Sequence, residues 1–354
     1  MTRLENYLSL ARRTGFESVP ISYSLCPSLW KRFEAYLSLH PMEIPFAEGS
    51  VPDLPASHPP AEEILAAYYT GKTFRPGTGV DAWGVAHEPG SSAAFHMTYM
   101  HHPMESFDSV EQIQAYRFPS FDPAGLAVQS ATVADLHRQD RAAAGYMQCT
   151  VWETAWYLRG MENLFCDMQT DPDMADALLT RVTDLAVQRA ESFARAGVDV
   201  LFLGDDIGMQ HTIMMSPALY GEWLRPRLAR VIDAARAIKP DILVFYHSCG
   251  HVTELVPQLI EAGIDVLDPV QPECMPFREI HDRFGDKLSF HGTLGTQSTM
   301  PFGTPDDVRR VVFENLDIAG PHGGLFVCPT HLLEPEVPVE NVVAYIQACL
   351  DYGK

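Results

Sequence analysis

The sequence predicts an α/β fold, a (β/α)8 TIM barrel with an N-terminal extension that forms a lid. Three observations carry this expectation. From about residue 105 onward, short β-branched and aromatic runs alternate with amphipathic stretches at the spacing of parallel βαβ units. Strands expected near 18, 145, 198, 242, 264, 287 and 323, with an eighth near 78–100, match the count of a closed barrel. The length, 354 residues, is normal for such a barrel with insertions. No Gly-x-Gly-x-x-Gly and no phosphate-cradling loop follows a strand, which leaves the open doubly wound sheet as the weaker alternative. The chain reads as one barrel domain over 1–354, with 1–104 supplying an irregular lid and the first strands.

Taken in order, SVPISYSL at 18–25 is the first expected strand, and the amphipathic stretch 28–39 follows it. A Pro-rich segment, 41–63, breaks regular structure before a helix at 61–69. Segments 78–89 and 93–104 read as short strands or a hairpin and contain Asp81, Trp83, His96, His101 and His102. A helix at 108–116 leads through a turn with Pro119 and Pro123 to a helix at 124–141. Strand 144–151 precedes helices at 155–165 and 171–196, the second opened by the capping signal Asp171-Pro172-Asp173. Strand 198–204 precedes helix 216–238, whose Leu219, Trp223, Leu228 and Ile232 recur at helical spacing. The rest alternates as strand 242–246, helix 252–262, strand 264–270, helix 276–284, strand 287–293, helix 304–318, strand 323–328 and helix 338–352.

Charge narrows the function classes. Lys and Arg number 25 against 46 Asp and Glu, a net charge of −21. Such a surface argues against nucleic-acid binding, which needs a positive footprint on phosphate. The first residues, MTRLENYLSLARRTG, lack an apolar core of the signal-peptide kind, and no apolar run approaches the ~18 residues of a membrane span. A soluble, cytoplasmic protein without membrane attachment is expected. Seven scattered cysteines in that setting are expected to be reduced thiols rather than a disulfide framework. The sequence leaves the oligomeric state open, a homodimer included.

The most informative stretch is 242-ILVFYHSCGHV-252. A buried strand stops at His247-Ser248-Cys249, so two soft metal ligands stand where a strand hands over to a helix, the end at which barrels build active sites. The stretch 324-GLFVCPTHLLEP-335 repeats the arrangement with Cys328 and then His331. Zinc takes thiolate and imidazole ligands, and a catalytic site keeps one position open. We therefore expect His247, Cys249 and Cys328 to bind one Zn2+. Other strand ends supply candidate catalytic groups. These are Asp205 and Asp206, of which only one is expected to face the site, together with Glu153 in an apolar setting and His331.

The run FYHSCGHVTELVPQLIEAGIDVLDPVQ, then HGTLGTQSTMPFGTPDDVRRVV, then GGLFVCPTHLLEPEVPVENVVAYI resembles the uroporphyrinogen decarboxylase superfamily. GDDIGMQHTIMMSPALYGEWLRPRLARVIDAARA fits the same pattern. The resemblance covers roughly 80–352 and implies a (β/α)8 barrel. True decarboxylases of this superfamily are metal-free and bind a tetrapyrrole polycarboxylate through an Arg-rich N-terminal segment, which ISYSLCPSLWKRFEAYLSL does not resemble. The other branch, corrinoid-dependent methyltransferases, binds zinc with His-x-Cys and a later Cys, which His247, Cys249 and Cys328 match. That branch implies methyl transfer between a small organic donor, such as a methoxylated compound, and cobalamin carried by a separate corrinoid protein, since no corrinoid-binding Asp-x-His-x-x-Gly occurs here. The aromatic set Tyr23, Trp83, Trp152 and Phe326 is the expected substrate pocket. The alternatives are an acceptor-side methylcobalamin:thiol or folate methyltransferase, a metal-free decarboxylase, and a non-catalytic small-molecule binding protein.

Overall fold

The structure is a computed structural model that describes residues 1–91 and 97–353. His96 lies outside the described residues. Seven parallel strands form one curled sheet: β1 (Glu48–Val51), β2 (Ala142–Gln148), β3 (Val200–Gly204), β4 (Leu243–His247), β5 (Val266–Asp268), β6 (Ser289–His291) and β7 (Leu325–Phe326), paired in that order. The fold is TIM-barrel-like. Helices follow the strands on the outside, among them the 25-residue helix Pro172–Ala196 after β2 and the helix Arg225–Ile238 after β3. Both start with a Pro in the first turn, where its missing N–H is not needed.

In-register parallel pairing organises the interior. Tyr146 pairs with Phe202, Phe202 with Phe245 and Phe245 with Val266; one step of two further, Gln148 pairs with Gly204, Gly204 with His247 and His247 with Asp268. Side chains alternate faces along a strand, so residues paired across parallel neighbours share a face. The lower layer is aromatic: Tyr146 stacks on Phe202 at 4.7 Å, and Phe202 meets Phe245 at 4.5 Å. The upper layer, at the C-terminal strand ends, is polar. Beneath both, the helix Arg3–Ala11 closes the barrel floor through Tyr7, Leu10 and Ala11, with the Tyr7 ring 4.7 Å from Phe326. A capping box between Thr2 and Glu5 starts that helix.

Several expectations are corrected in the N-terminal third. Residues 18–25 are not a strand: Leu25 makes one isolated parallel bridge to Leu333, and the first sheet strand is β1, inside the segment read as a Pro-rich break. β1 is short and carries Gly49 and Ser50, so it lacks the apolar pattern that marks a strand. The expected barrel strand near 78–100 is instead a separate antiparallel sheet of 79–80, 86–89 and 98–101. Between β7 and β1 no ladder forms among the described residues. The extended chain there touches both sides, through the Leu25 bridge and through the Tyr23 ring, 5.5 Å from Phe46. Elsewhere breaks are local: the helix expected at 155–165 is two helices, Trp152–Arg159 and Met161–Thr170, parted at Gly160.

Arg159 ties that break to the N-terminal third. Its guanidinium is buried, takes Asp167 in a two-pronged ion pair at 2.7 and 3.2 Å, and donates to the carbonyls of Met104 and Phe107 at 2.7 and 2.9 Å. Arg159→Leu strands the buried Asp167 carboxylate and takes a donor from the carbonyls of Met104, Glu105 and Phe107, and should cost about 3–5 kcal/mol in urea unfolding. A loss below about 1 kcal/mol would show the pair to be replaceable. No helix of the described residues is long and apolar enough to cross a membrane.

Candidate metal centre

The upper layer of the barrel places a carboxylate between two imidazoles. Asp268 ends β5, with His247 at the end of β4 on one side and His291 at the end of β6 on the other. Its Oδ2 lies 2.8 Å from Nδ1 of His247, and its Oδ1 lies 2.6 Å from Nδ1 of His291. All three are buried or nearly so. Burial pushes the Asp268 carboxyl up, but the His291 and His247 charges outweigh it and hold it well below the usual carboxylate range. The same contacts act on the imidazoles. Burial lowers His247, and the Asp268 carboxylate more than reverses that; for His291 the Cys328 sulfur and Asp268 do so together.

With Nδ1 fixed on Asp268, His247 presents Nε2 to the cavity above, 3.5 Å from Sγ of Cys249 and 3.8 Å from Oδ1 of Asp206. Ligand atoms of Asp206, His247 and Cys249 all lie within 4.8 Å of one another. The loop that makes this possible turns at Gly250 (φ 85°), whose N–H donates to Oε1 of Gln271. Asp206 Oδ1 accepts the Cys249 N–H at 2.7 Å, so the carboxylate also fixes the thiol-bearing backbone. Gly204 is needed one strand over, because a Cβ there would stand 2.6 Å from the His247 Cβ. Cys328 is not in this group: its Sγ rests 3.4 Å from Nε2 of His291.

The two adjacent carboxylates divide. Asp205 is buried and accepts the N–H groups of Val151 and Glu153 at 3.1 and 2.9 Å, anchoring the start of the helix Trp152–Arg159. Of the two expected catalytic carboxylates, Asp206 lines the adjoining cavity and Asp205 does not. That cavity has a volume of about 850 Å³, and Glu153, Tyr157, Cys149 and His331 also line it. Burial and the Asp206 charge push the Glu153 carboxyl up, while Tyr157 donates to its Oε1 at 2.9 Å. His331 stands with its ring centre 6.5 Å from that of His247. From the N-terminal third, Met97, Thr98 and Met100 reach the same cavity.

The expected aromatic pocket is assembled only in part. Tyr23 lines a second, inner cavity beside His247, but the other three do not line either cavity. Trp152 is wholly buried in the core, its ring 4.8 Å from Phe165, because the helix it opens turns it inward. Trp83 packs 6.2 Å from Phe121, and Phe326 belongs to the aromatic layer below the site. Neither of the lid histidines His101 and His102 lines the cavities; His101 lies 3.1 Å from Glu88, and His102 bonds the Tyr157 carbonyl at 2.8 Å. Three residues were missed by sequence reasoning: His291, Tyr157 and Cys149. His291 had a signal, since Ser289-Phe290-His291 puts an imidazole in register with Asp268. Cys149 leaves β2 in the left-handed region at φ 60°, which no sequence pattern announces.

A TIM-barrel-like fold with imidazoles, thiols and carboxylates grouped at the C-terminal strand ends defines a barrel protein with a candidate metal centre. The chain belongs to the uroporphyrinogen decarboxylase (URO-D) family, whose pattern it matches over residues 90–352. Among curated relatives, a methylated-thiol–coenzyme M methyltransferase of Methanosarcina mazei is 30% identical over 202 residues, 55% of this chain and 49% of the relative. A uroporphyrinogen decarboxylase of Coxiella burnetii is 23% identical over 186 residues, 51% of this chain and 48% of the relative. The chain thus spans about half the length of the curated relatives it matches. A solved structure described as a methyltransferase from Methanosarcina mazei shares the fold over all of both chains, with a TM-score of 0.67 at 15% identity.

Proposed function

We propose that this protein is a zinc-dependent methyltransferase that moves a methyl group between a small organic donor and cobalamin carried by a separate corrinoid protein. The observation that carries the reading is the convergence of Asp206, His247 and Cys249, with His247 locked on Asp268 so that Nε2 faces the group. One imidazole, one thiol and one carboxylate suit zinc, and a histidine held through its other nitrogen by a carboxylate is the usual support of a metal ligand. His247 and Cys249 would hold the ion, with Cys328 as the further thiolate; Asp206, expected from the sequence as a catalytic group, is a fourth possible donor. The methyltransferase relative supports the methyl-transfer reading, and the absence of any Lys or Arg from the described cavity lining counts against a polycarboxylate substrate.

When bound, zinc supplies a Lewis acid that polarises a methyl-bearing heteroatom. The chain's own groups do the rest. Loss of a methyl group from an ether oxygen leaves an alkoxide that takes up a proton. Glu153 stands on the cavity wall with its carboxyl pushed up by burial and by Asp206, and with Tyr157 on its Oε1, as a holder for that proton. Met97 and Met100 add apolar surface to the cavity lining.

Metal analysis of the purified protein tests this reading. About one zinc per chain is expected in the wild type, lost in His247→Ala, Cys249→Ser and Cys328→Ser. A wild-type protein that neither carries zinc nor takes it up would end the proposal. With zinc present, formation of methylcob(III)alamin from cob(I)alamin and a methoxylated donor separates the donor-side reading from the acceptor-side one, in which a thiol is methylated instead.

A further inference from the structure

Beside the metal-ligand group a second cavity of about 330 Å³ descends between the strand ends, and His247 and His331 line both cavities. Tyr23, Tyr146 and Phe202 supply its aromatic walls, and Glu48, from β1, is the carboxylate in its lining nearest the barrel floor helix. Glu48 is set in place before any ligand arrives. Tyr7 Oη donates to Oε2, and Tyr146 Oη donates to Oε1 at 2.9 Å. An ionised carboxylate accepts about four hydrogen bonds, so two phenols leave capacity on each oxygen. The nearby guanidinium of Arg141 donates to the main-chain carbonyl of Glu48 and to Gln139 rather than to the carboxylate.

The cavities share one further property. No Lys or Arg among the described residues lines either of them, whereas Glu153, Asp206, Glu334 and Glu336 line the larger one. An anionic ligand would lose its hydration there and meet no Lys or Arg among the described residues; the His247 and His291 imidazoles in the inner lining are both already paired with Asp268. A cationic one finds an anchored carboxylate beside aromatic rings, the combination that recognises ammonium groups.

We propose that the small molecule handled at this site is cationic: an ammonium-bearing methyl ether or thioether, with its ammonium in the inner cavity at Glu48. His247 borders both cavities, so the methyl-bearing heteroatom of the same molecule faces Asp206, His247 and Cys249. The placement of that second end rests on the methyl-transfer reading above. The charge preference rests on the cavity lining.

Binding to the full-length protein, without cobalamin or added zinc, tests this by saturation-transfer NMR with three methyl ethers of similar size. These are 2-methoxyethylammonium, neutral 1,2-dimethoxyethane and the anion methoxyacetate. The ammonium compound is expected to bind about tenfold tighter than the neutral one, with the anion weakest. Glu48→Gln should bring the ammonium compound to the level of the neutral one. The inference is overturned if the neutral or anionic ether binds as tightly as the ammonium compound to the wild type. Failure to detect the ammonium compound, or a Glu48→Gln protein that keeps the preference, also overturns it. If Glu48→Gln does not fold, the order of the three ligands on the wild type decides alone. Methyl transfer from a neutral ether would remove this inference while leaving the proposed function intact; a protein without methyl transfer that still ranks the ligands by charge would do the reverse.

Discussion

Asp268→Ala is expected to weaken zinc binding by about 10- to 100-fold, the usual cost of removing the carboxylate behind a ligating histidine. Asp268 is not one of the three grouped ligand residues Asp206, His247 and Cys249. It acts by holding Nδ1 of His247 at 2.8 Å, which fixes both the ring orientation and the nitrogen offered to the metal. The same carboxylate holds His291 at 2.6 Å, and His291 in turn contacts Cys328 at 3.4 Å, so one substitution loosens both the His247 and the Cys328 arms. Asp268→Asn keeps the shape and one acceptor oxygen and should fall between wild type and alanine. Competition against a chromogenic zinc chelator measures the affinity directly. An unchanged affinity in Asp268→Ala would show that packing alone orients His247.

Gly250→Ala should be the most damaging single methyl group in the site region. Gly250 is buried with φ at 85°, a conformation an alanine adopts only with strain. An added Cβ would also stand 2.8 Å from the backbone of Gly208 and Met209, where nothing can rotate away. That facing loop is bonded to this turn by His251 N–H to the Met209 carbonyl at 2.7 Å, so the clash cannot be relieved by moving one loop alone. A loss on the order of 2–4 kcal/mol in urea unfolding is expected, together with loss of bound zinc, because Cys249 is the adjacent residue. A midpoint within error of the wild type would mean that the loop over residues 207–213 yields easily.

Much of the barrel was legible because its central strands are buried on both faces and read as apolar runs between helices of clear periodicity. Leu243–His247 and Val200–Gly204 lie within a residue or two of their expected places. The N-terminal third was not legible for a matching reason. β1 contains Gly49 and Ser50 in an otherwise Pro-rich stretch and joins the sheet only because β2 offers it a partner through Glu48 and Ala142. The expected strand at 18–25 has the right residues but finds only the Leu333 bridge. Strand formation depends on a partner that the local sequence cannot see.

The candidate site divides along the same line. The sequence by itself determined that soft ligands stand at strand ends, since the apolar run stopping at His247-Ser248-Cys249 and again at Cys328 is a local pattern. It could also limit Asp205 and Asp206 to one facing the site, because alternation is a property of the chain. Only the tertiary structure decided which one, by turning Asp205 onto the amides of Val151 and Glu153 and leaving Asp206 in the cavity. Only it placed Asp268 between His247 and His291, moved Trp152, Trp83 and Phe326 away from the cavity, and set Glu48 on the phenols of Tyr7 and Tyr146. The physical reason is register. Which side chains share a layer is set by hydrogen bonds between strands far apart in sequence, as between Glu48 and Ala142, and no single stretch of the chain carries that information.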